Sequence, residues 1–353
     1  MRELFESTLE RLLSDRVTPA LLRECETGVW PAALWAAVEE SGFAVAAAPE
    51  LLGGADAGWE DLYVVVRAAG RHALPLPLPE ALLANALLAR CGLDARNEPL
   101  TVAPLADLSL QAGRAHGRLA DVPWGRHATG VVAITGGAVP MLLLLDPRQA
   151  SVSAKQNIAG EPRDDLVFDG ATPLASAPLP VDLTPESIWL GGAMLRSAQC
   201  AGALETALAL SVQYATERVQ FGKPIASFQA IQHQLAVMAE QAGCAAVAAE
   251  AAFADSAVAW SPFAIATAKI VSAEAAGVVA GMAHAVHGAI GFTHEHALQH
   301  LTRRLWSWRS EFGNQGHWTQ RLGQAVCAGG AGALWPAVTS GALPLPAAQR
   351  THA

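Results

Sequence analysis

The spacing of apolar positions changes twice along this chain. From Met1 to about residue 100 it is helical. In PAALWAAVEESGFAV, residues 31–45, apolar residues recur at three- and four-residue intervals, predicting a helix that stops at Gly42. APELLGGADAGWEDLYVVVRAAGR, 48–71, places a Gly-Gly turn before a second helix, and ALPLPLPEALLANALLARCGL, 73–93, reads as a Pro-punctuated linker and a third. Between about Thr101 and Leu183 the period shortens. TGVVAITGGAVPMLLLLDP, 129–147, predicts two apolar strands around a Gly-Gly turn, and VSAKQNIAGEPRDDLVFDGATP, 152–173, predicts short alternating segments.

From Thr184 to about Val338 the helical period returns. A long helix is expected over 184–222, with Thr184 as its N-cap, Pro185 in its first turn and Gly222 at its end. Ser227 is expected to cap a second helix running to Trp260. A third covers 261–288, with Ser261 then Pro262 at its start, and a fourth 293–312. The Ala and Gly content of the middle two allows close helix packing, predicting an antiparallel four-helix bundle. The expected architecture is α+β: an N-terminal helical domain (1–100), a small β domain (101–183), a C-terminal four-helix bundle (184–340) and a loose tail (341–353).

Composition narrows the function. Hydrophobic residues make up 52% of the chain and charged ones 16%, which predicts a large core and some apolar surface covered by other subunits. A net charge of −9 without a basic run argues against nucleic acid. The amphipathic start, MRELFESTLE, lacks the apolar core of a secretory signal, and the longest apolar run, 32–38, is too short to span a bilayer, so a cytoplasmic protein is expected. Five separated cysteines predict reduced thiols, mostly buried in apolar helices, with neither disulfides nor a zinc site.

Two stretches carry candidate chemistry. ERVQFGKPIASFQAIQHQLAVM, 217–238, is a helix end, a Gly turn and a new helix start. Arg218 there is either a C-terminal cation facing the helix dipole or a bidentate donor for a diphosphate. In AHAVHGAIGFTHEH, 283–296, Gly288 and Gly291 end a helix, either as a plain turn with a packed His287 or as a place where backbone comes close to a flat or anionic ligand. No Gly-rich phosphate loop follows a strand, which excludes a Rossmann-type nucleotide site.

Together these stretches resemble the acyl-CoA dehydrogenase family. ERVQFGKPIASFQAIQH is similar to its R-x-Q-F-G-x-P-I-x-x-F-Q-x-x-Q signature, and VHGAIGFTHEHALQHLTRR to the helix-turn-helix that follows, usually H-G-G-x-G-F-T. APELLGGADAGWEDL looks like a piece of the family's first domain. The resemblance implies an α domain, a β-barrel-like domain and a four-helix bundle, assembled as a dimer or dimer of dimers. It implies FAD as cofactor, with Arg218 reaching the diphosphate of the neighbouring subunit's flavin. His287, Gly288 and Gly291 would lie along the adenine half, with Phe221 and Gln229 near it. The implied reaction is α,β-dehydrogenation of an acyl-CoA thioester. A Glu takes the α-proton, flavin takes the β-hydride, and an electron-transferring flavoprotein receives the electrons.

Four departures bear on that reaction. Aligning Gly291–Phe292 and Gly313 with the family puts Phe312, not a Glu, at the base position; Glu311 falls one residue early. The alternative base position, 26 residues before Arg218, is Gly192. The family's flavin-contacting Gln is Ala285, and the T-E-P-x-A-G-S-D-type segment that opens the β domain is missing. Leu301, Leu305, Trp308 and Phe312 form one helical stripe, so Phe312 is expected to be buried. Glu311 is then either a structural carboxylate with only a weak link to Arg304, or the catalytic base after a shift at the helix end; His317 is a further candidate. Two functions remain open: an active acyl-CoA dehydrogenase, or a catalytically silent subunit of a heteromeric one, of a kind known for sterol side-chain thioesters, that lends FAD contacts to its partner.

Overall fold

The computed structural model describes residues 1–341 and 343–345, so most of the expected tail lies outside the described residues. The chain forms two compact units, one of Met1–Val65 with Pro75–Gly192, the other of Val66–Leu74 with the chain from Ala193 onward. The fold is α+β, helical toward both ends with sheets between.

The N-terminal helices are α1 (Arg2–Arg16), α2 (Pro19–Glu26), α3 (Ala32–Ser41), α4 (Trp59–Arg71) and α5 (Leu78–Arg90). Gly42 ends α3, as the sequence predicted, and does so in the left-handed conformation (φ +71°). Helix α5 is buried along most of its length. Its Asn85 side chain donates to Ala44 O and Arg96 O and accepts from Arg96 N, pinning the chain on either side of it.

Eight strands follow: β1 (Leu100–Val102), β2 (Leu105–Gln111), β3 (Arg114–Pro123), β4 (Gly130–Ile134), β5 (Met141–Leu145), β6 (Ala150–Ser153), β7 (Arg163–Ala171) and β8 (Ala175–Pro178). They form two four-stranded sheets, ordered β1-β4-β5-β8 and β2-β3-β7-β6. The predicted strand pair is β4 and β5, antiparallel with Val131 opposite Leu145. The sheets share one core, with Leu119, Leu166 and Phe168 from one and Val131, Leu143 and Leu145 from the other.

The second unit holds most of α6 (Ser187–Glu217), β9 (Val219–Gln220), β10 (Lys223–Pro224), α7 (Gln229–Asp255), α8 (Pro262–His287), α9 (Leu298–Trp308), α10 (Gln315–Gly329) and α11 (Leu334–Ser340). Helix α8 opens as predicted, with Ser261 Oγ accepting from Ala264 N and Pro262 in its first turn. It packs against α7, α9 and α10. The end of α4 meets α6 backbone to backbone. A Cβ at Gly70 would lie 2.0 Å from Gln199 O, and one at Gly202 2.0 Å from Arg67 O, so both positions admit only glycine.

Several expectations change here. Helix α6 ends at Glu217, five residues before Gly222, because a β-hairpin intervenes. Ser227 does not cap α7: its hydroxyl donates to Pro224 O, and Phe228 is the N-cap without a side-chain bond. The fourth helix begins at Leu298 and ends at Trp308. Of the five cysteines only Cys200 is buried, while Cys244 and Cys327 are exposed. Two segments, Gln229–Asp255 and Pro262–Phe292, are long and apolar enough to cross a membrane by length and composition. The second is largely buried, as a core helix is. Helix α7 buries one stripe, Met238, Ala242, Ala245, Ala249 and Ala252, and leaves residues such as Val247 exposed.

Candidate functional site

Three structures in the second unit carry the residues singled out from sequence. The first is the hairpin of β9 and β10. Its two turn residues, Phe221 and Gly222, both have positive φ (+55° and +80°), as a type I′ hairpin turn requires. Gly222 adopts this freely, whereas Phe221 is held there by the hairpin. The Phe221 ring is 91% exposed. Arg218 stands at the base of the hairpin, where its N–H bonds Tyr214 O and its carbonyl accepts from Ile225 N. Its exposed guanidinium makes no hydrogen bond or ion pair among the described residues. Gln229, also exposed, is the first residue of α7, whose N-terminus has no side-chain cap. An unengaged guanidinium beside an uncapped helix start is a donor set suited to a diphosphate.

The second structure is the short 3-10 turn Gly288–Phe292 after α8. Gly288 ends the helix at φ +62° and is exposed. Gly291 is buried, and a Cβ there would press within 3.2 Å of His284 Nδ1 and 3.0 Å of His287 Cβ. His287 is buried, its Nδ1–H donating to Ala283 O at 2.8 Å and its ring stacked on Tyr214. His284 bonds Thr302 through Nε2 at 2.8 Å and stacks on Phe292. Burial holds the imidazoles of His284, His287 and His296 below their ordinary pKa, so all three are neutral at pH 7. Ala285 is exposed.

The third is the turn 309–313. Leu301, Leu305, Trp308 and Phe312 are all buried, as the stripe predicted. Phe312, however, is not helical. Its φ is +53°, and Gly313 follows at +93°. A bulky side chain in this region is strained and stays there only when its surroundings hold it. Trp318 Nε1–H donates to Phe312 O at 3.0 Å, and the guanidinium carbon of Arg196 lies 5.5 Å from the Phe312 ring centre.

Glu311 is bound to Arg196, on α6. Arg196 Nε donates to Glu311 Oε2 at 2.7 Å, and its Nη1 donates to Gln199 Oε1. The Arg196 side chain is 1% exposed and that of Glu311 17%. From α8 the fully buried Lys269 donates to Trp308 O at 2.8 Å and Arg309 O at 2.9 Å, satisfying carbonyls that the end of α9 leaves open. Burial pushes Lys269 down to about 8 and the nearby Cys200 thiol up to about 11. Gly277 leaves room for Arg309, since a Cβ there would lie 2.8 Å from its Nη1. His317 sits in the first turn of α10, its backbone N–H bonded to Asn314 Oδ1. Gly192 lies one helical turn before Arg196 on α6.

Arg196, Lys269 and Gln199 escaped the sequence reading. Arg196 is 115 residues from Glu311, and a single sequence does not give the register between helices. The signal available was a charged residue inside an apolar helical run, GGAMLRSAQC and AIATAKIVSA, where an isolated charge needs a partner.

Residues 2–98 match the family model for the acyl-CoA dehydrogenase N-terminal domain, and residues 191–322 the one for the C-terminal domain. The acyl-CoA dehydrogenase IpdE2 of Mycobacterium tuberculosis (strain ATCC 25618 / H37Rv) is 32% identical over 314 residues, 86% of this chain and 90% of that one. The fold is shared with the ChsE4-ChsE5 complex from Mycobacterium tuberculosis (TM-score 0.80, 23% identity, 92% of this chain and 97% of that chain). It is shared equally with the Tcur3481-Tcur3483 steroid ACAD G363A variant (TM-score 0.80, 24% identity, 93% and 98%). With both terminal domains matched and a relative aligned along most of its length, the chain belongs to the acyl-CoA dehydrogenase family.

Proposed function

We propose that this chain is a subunit of a heteromeric, FAD-dependent acyl-CoA dehydrogenase, one that helps hold flavin and leaves proton abstraction to a homologous partner. The observation that carries this reading is the turn 309–313. Phe312 fills the family's base position, and the neighbouring carboxylate, Glu311, is bound to a buried Arg196. A carboxylate paired in this way favours its charged form and is a poor acceptor for a carbon-bound proton. Gly192 offers no carboxylate at the alternative position.

The residues toward the cofactor are better kept. Arg218, the start of α7 and Gln229 fit a diphosphate, and their exposure suits a flavin shared with another chain. Phe221, exposed at the hairpin tip, suits burial against that chain. His287, Gly288 and Gly291 would lie along the adenine side. When bound, FAD supplies the hydride acceptor; this chain's residues bind and orient it. A four-helix arrangement of α6, α7, α8 and α9 is the scaffold for this role. The substrate is a CoA thioester, and relatives of shared fold that are described as a complex and as a steroid enzyme favour a bulky, steroid-derived acyl group.

The test is co-expression with a homologous chain that keeps the Glu at its own base position. Flavin content per chain and flavin bleaching by a panel of acyl-CoAs, from butyryl to steroid side-chain thioesters, are then measured. Bleaching is expected only in the mixed assembly and is unchanged by Glu311→Gln. Full bleaching by this chain alone, lost in Glu311→Gln, would instead establish the second reading, in which Glu311 leaves Arg196 and acts as the base.

A further inference from the structure

We infer that Arg196 is a second lock on this pocket: it would disarm a carboxylate at position 312 as it now occupies the one at 311, so that restoring the family's Glu does not by itself restore a base. This rests on the proposed function, which assigns the missing base to position 312. The geometry is specific. Arg196 is nearly inaccessible to water, lies on the helix that also carries the alternative base position one turn earlier, and spans to both residues of the turn. It binds Glu311 through Nε, and its guanidinium carbon is 5.5 Å from the centre of the Phe312 ring. A glutamate carboxyl group reaches about as far from its Cα as a phenyl centre does. The backbone of residue 312 is held by the Trp318 bond to its carbonyl and by the two carbonyls at the end of α9 that Lys269 caps, so a new side chain would leave in the same direction.

Two opposing forces would then act on the carboxyl group introduced by Phe312→Glu. Burial at a position where Phe312 is 5% exposed raises a carboxyl pKa, which is what a base in a dry pocket needs. A guanidinium within about 5 Å lowers it, by about one to three units for a close pair. With Arg196 present the second wins. Without it burial is opposed only by the charges of Lys269 and Arg309, both of which are aimed elsewhere. Lys269 also faces this turn, but its ammonium is aimed at the carbonyls of Trp308 and Arg309, and Arg309 lies over Gly277 of α8. His317 and Arg321 stand on α10 around Trp318, with Arg321 stacked on its ring. Arg196 is thus a cation placed against the 312 side chain.

The experiment titrates the carboxyl directly and needs neither flavin, substrate nor partner. Full-length chains labelled with δ-13C glutamate are prepared as Glu311→Gln/Phe312→Glu, the same with Arg196→Met, and the same with Arg196→Lys. Glu311→Gln is included throughout so that the carboxylate at 311 neither competes for Arg196 nor changes with its loss. The signal of the introduced carboxyl is the one the wild type lacks. We expect its midpoint at least one unit below the ordinary glutamate value of about 4.3 when Arg196 is present. It moves at least one unit above that value with methionine, and returns downward with lysine. A structural role for Arg196 alone would not reverse the sign of the shift. Equal midpoints with arginine and methionine would overturn the inference and leave the proposed function standing. Bleaching by the wild-type chain alone would overturn the function without touching these midpoints. If the methionine variant does not fold, the lysine and glutamine variants at 196 decide it, glutamine being expected to behave as methionine does.

Discussion

The hairpin at 218–224 and the turn at 309–313 are both short, both contain a phenylalanine at positive φ followed by a glycine, and both lie in stretches singled out from sequence. They differ in what surrounds them. Phe221 is exposed beside a guanidinium that makes no hydrogen bond or ion pair among the described residues. Phe312 is enclosed, its carbonyl, its ring and its neighbour Glu311 each engaged by groups from other helices. The same backbone device serves an exposed hairpin tip and a buried plug whose contacts come from neighbouring helices. Family signatures report the first kind well. They do not report the second, because its meaning depends on partners far along the chain.

Breaking the closed region should cost the most. Arg196→Ala removes a buried partner of Glu311 and opens a cavity, and a loss of about 3–5 kcal/mol is expected, read as a fall in the denaturant midpoint at unchanged slope. Loss below about 1 kcal/mol would mean the pair is held loosely. Breaking the open region should leave stability alone and act on binding. Arg218→Ala is expected to weaken flavin retention by the assembly about tenfold to a hundredfold, the range for a charge-assisted phosphate contact, with no shift in the melt of the flavin-free protein.

A subtler test of the closed region uses Lys269. It sheds its proton near pH 8 in the fold and near the ordinary value of 10.5 when unfolded. Between those values the unfolded chain holds more protons, so rising pH favours the fold. Wild type should therefore gain about 1 kcal/mol relative to Lys269→Met between about pH 7 and pH 9. A flat difference would place the ammonium in a wetter site. The smallest effect is expected at the hairpin tip. Phe221→Asn, which tolerates positive φ better, should slow amide exchange at Ile225, whose N–H bonds Arg218 O, with at most about 1 kcal/mol of local stabilisation.

How far the sequence could be read divides along the same line. Gly42 as a helix stop, Ser261–Pro262 as a helix start and the β4–β5 pair were legible because their signals are local. The buried stripe ending at Phe312 was legible as burial. Its departure from helical geometry was not, since the left-handed step at 312 is imposed by Trp318 and Arg196 and not by its own preference. The hairpin was hidden inside an apparent helix–turn–helix because strands of two residues leave no period to detect. Arg196 and Lys269 were visible as charges in apolar helices, but their targets are set by packing between helices, which one sequence does not give.

The bond from the Trp318 indole to the Phe312 carbonyl also sets a clock. A short surface turn ordinarily opens in nanoseconds to microseconds. This one is fastened from α6, α8 and α10, so the indole N–H, buried and bonded, can meet solvent only when those helices part. At high pH, where exchange outpaces reclosing, its hydrogen exchange would then follow the global unfolding rate of the helical unit, and a single tryptophan proton, resolved by NMR, would time how often that unit comes apart.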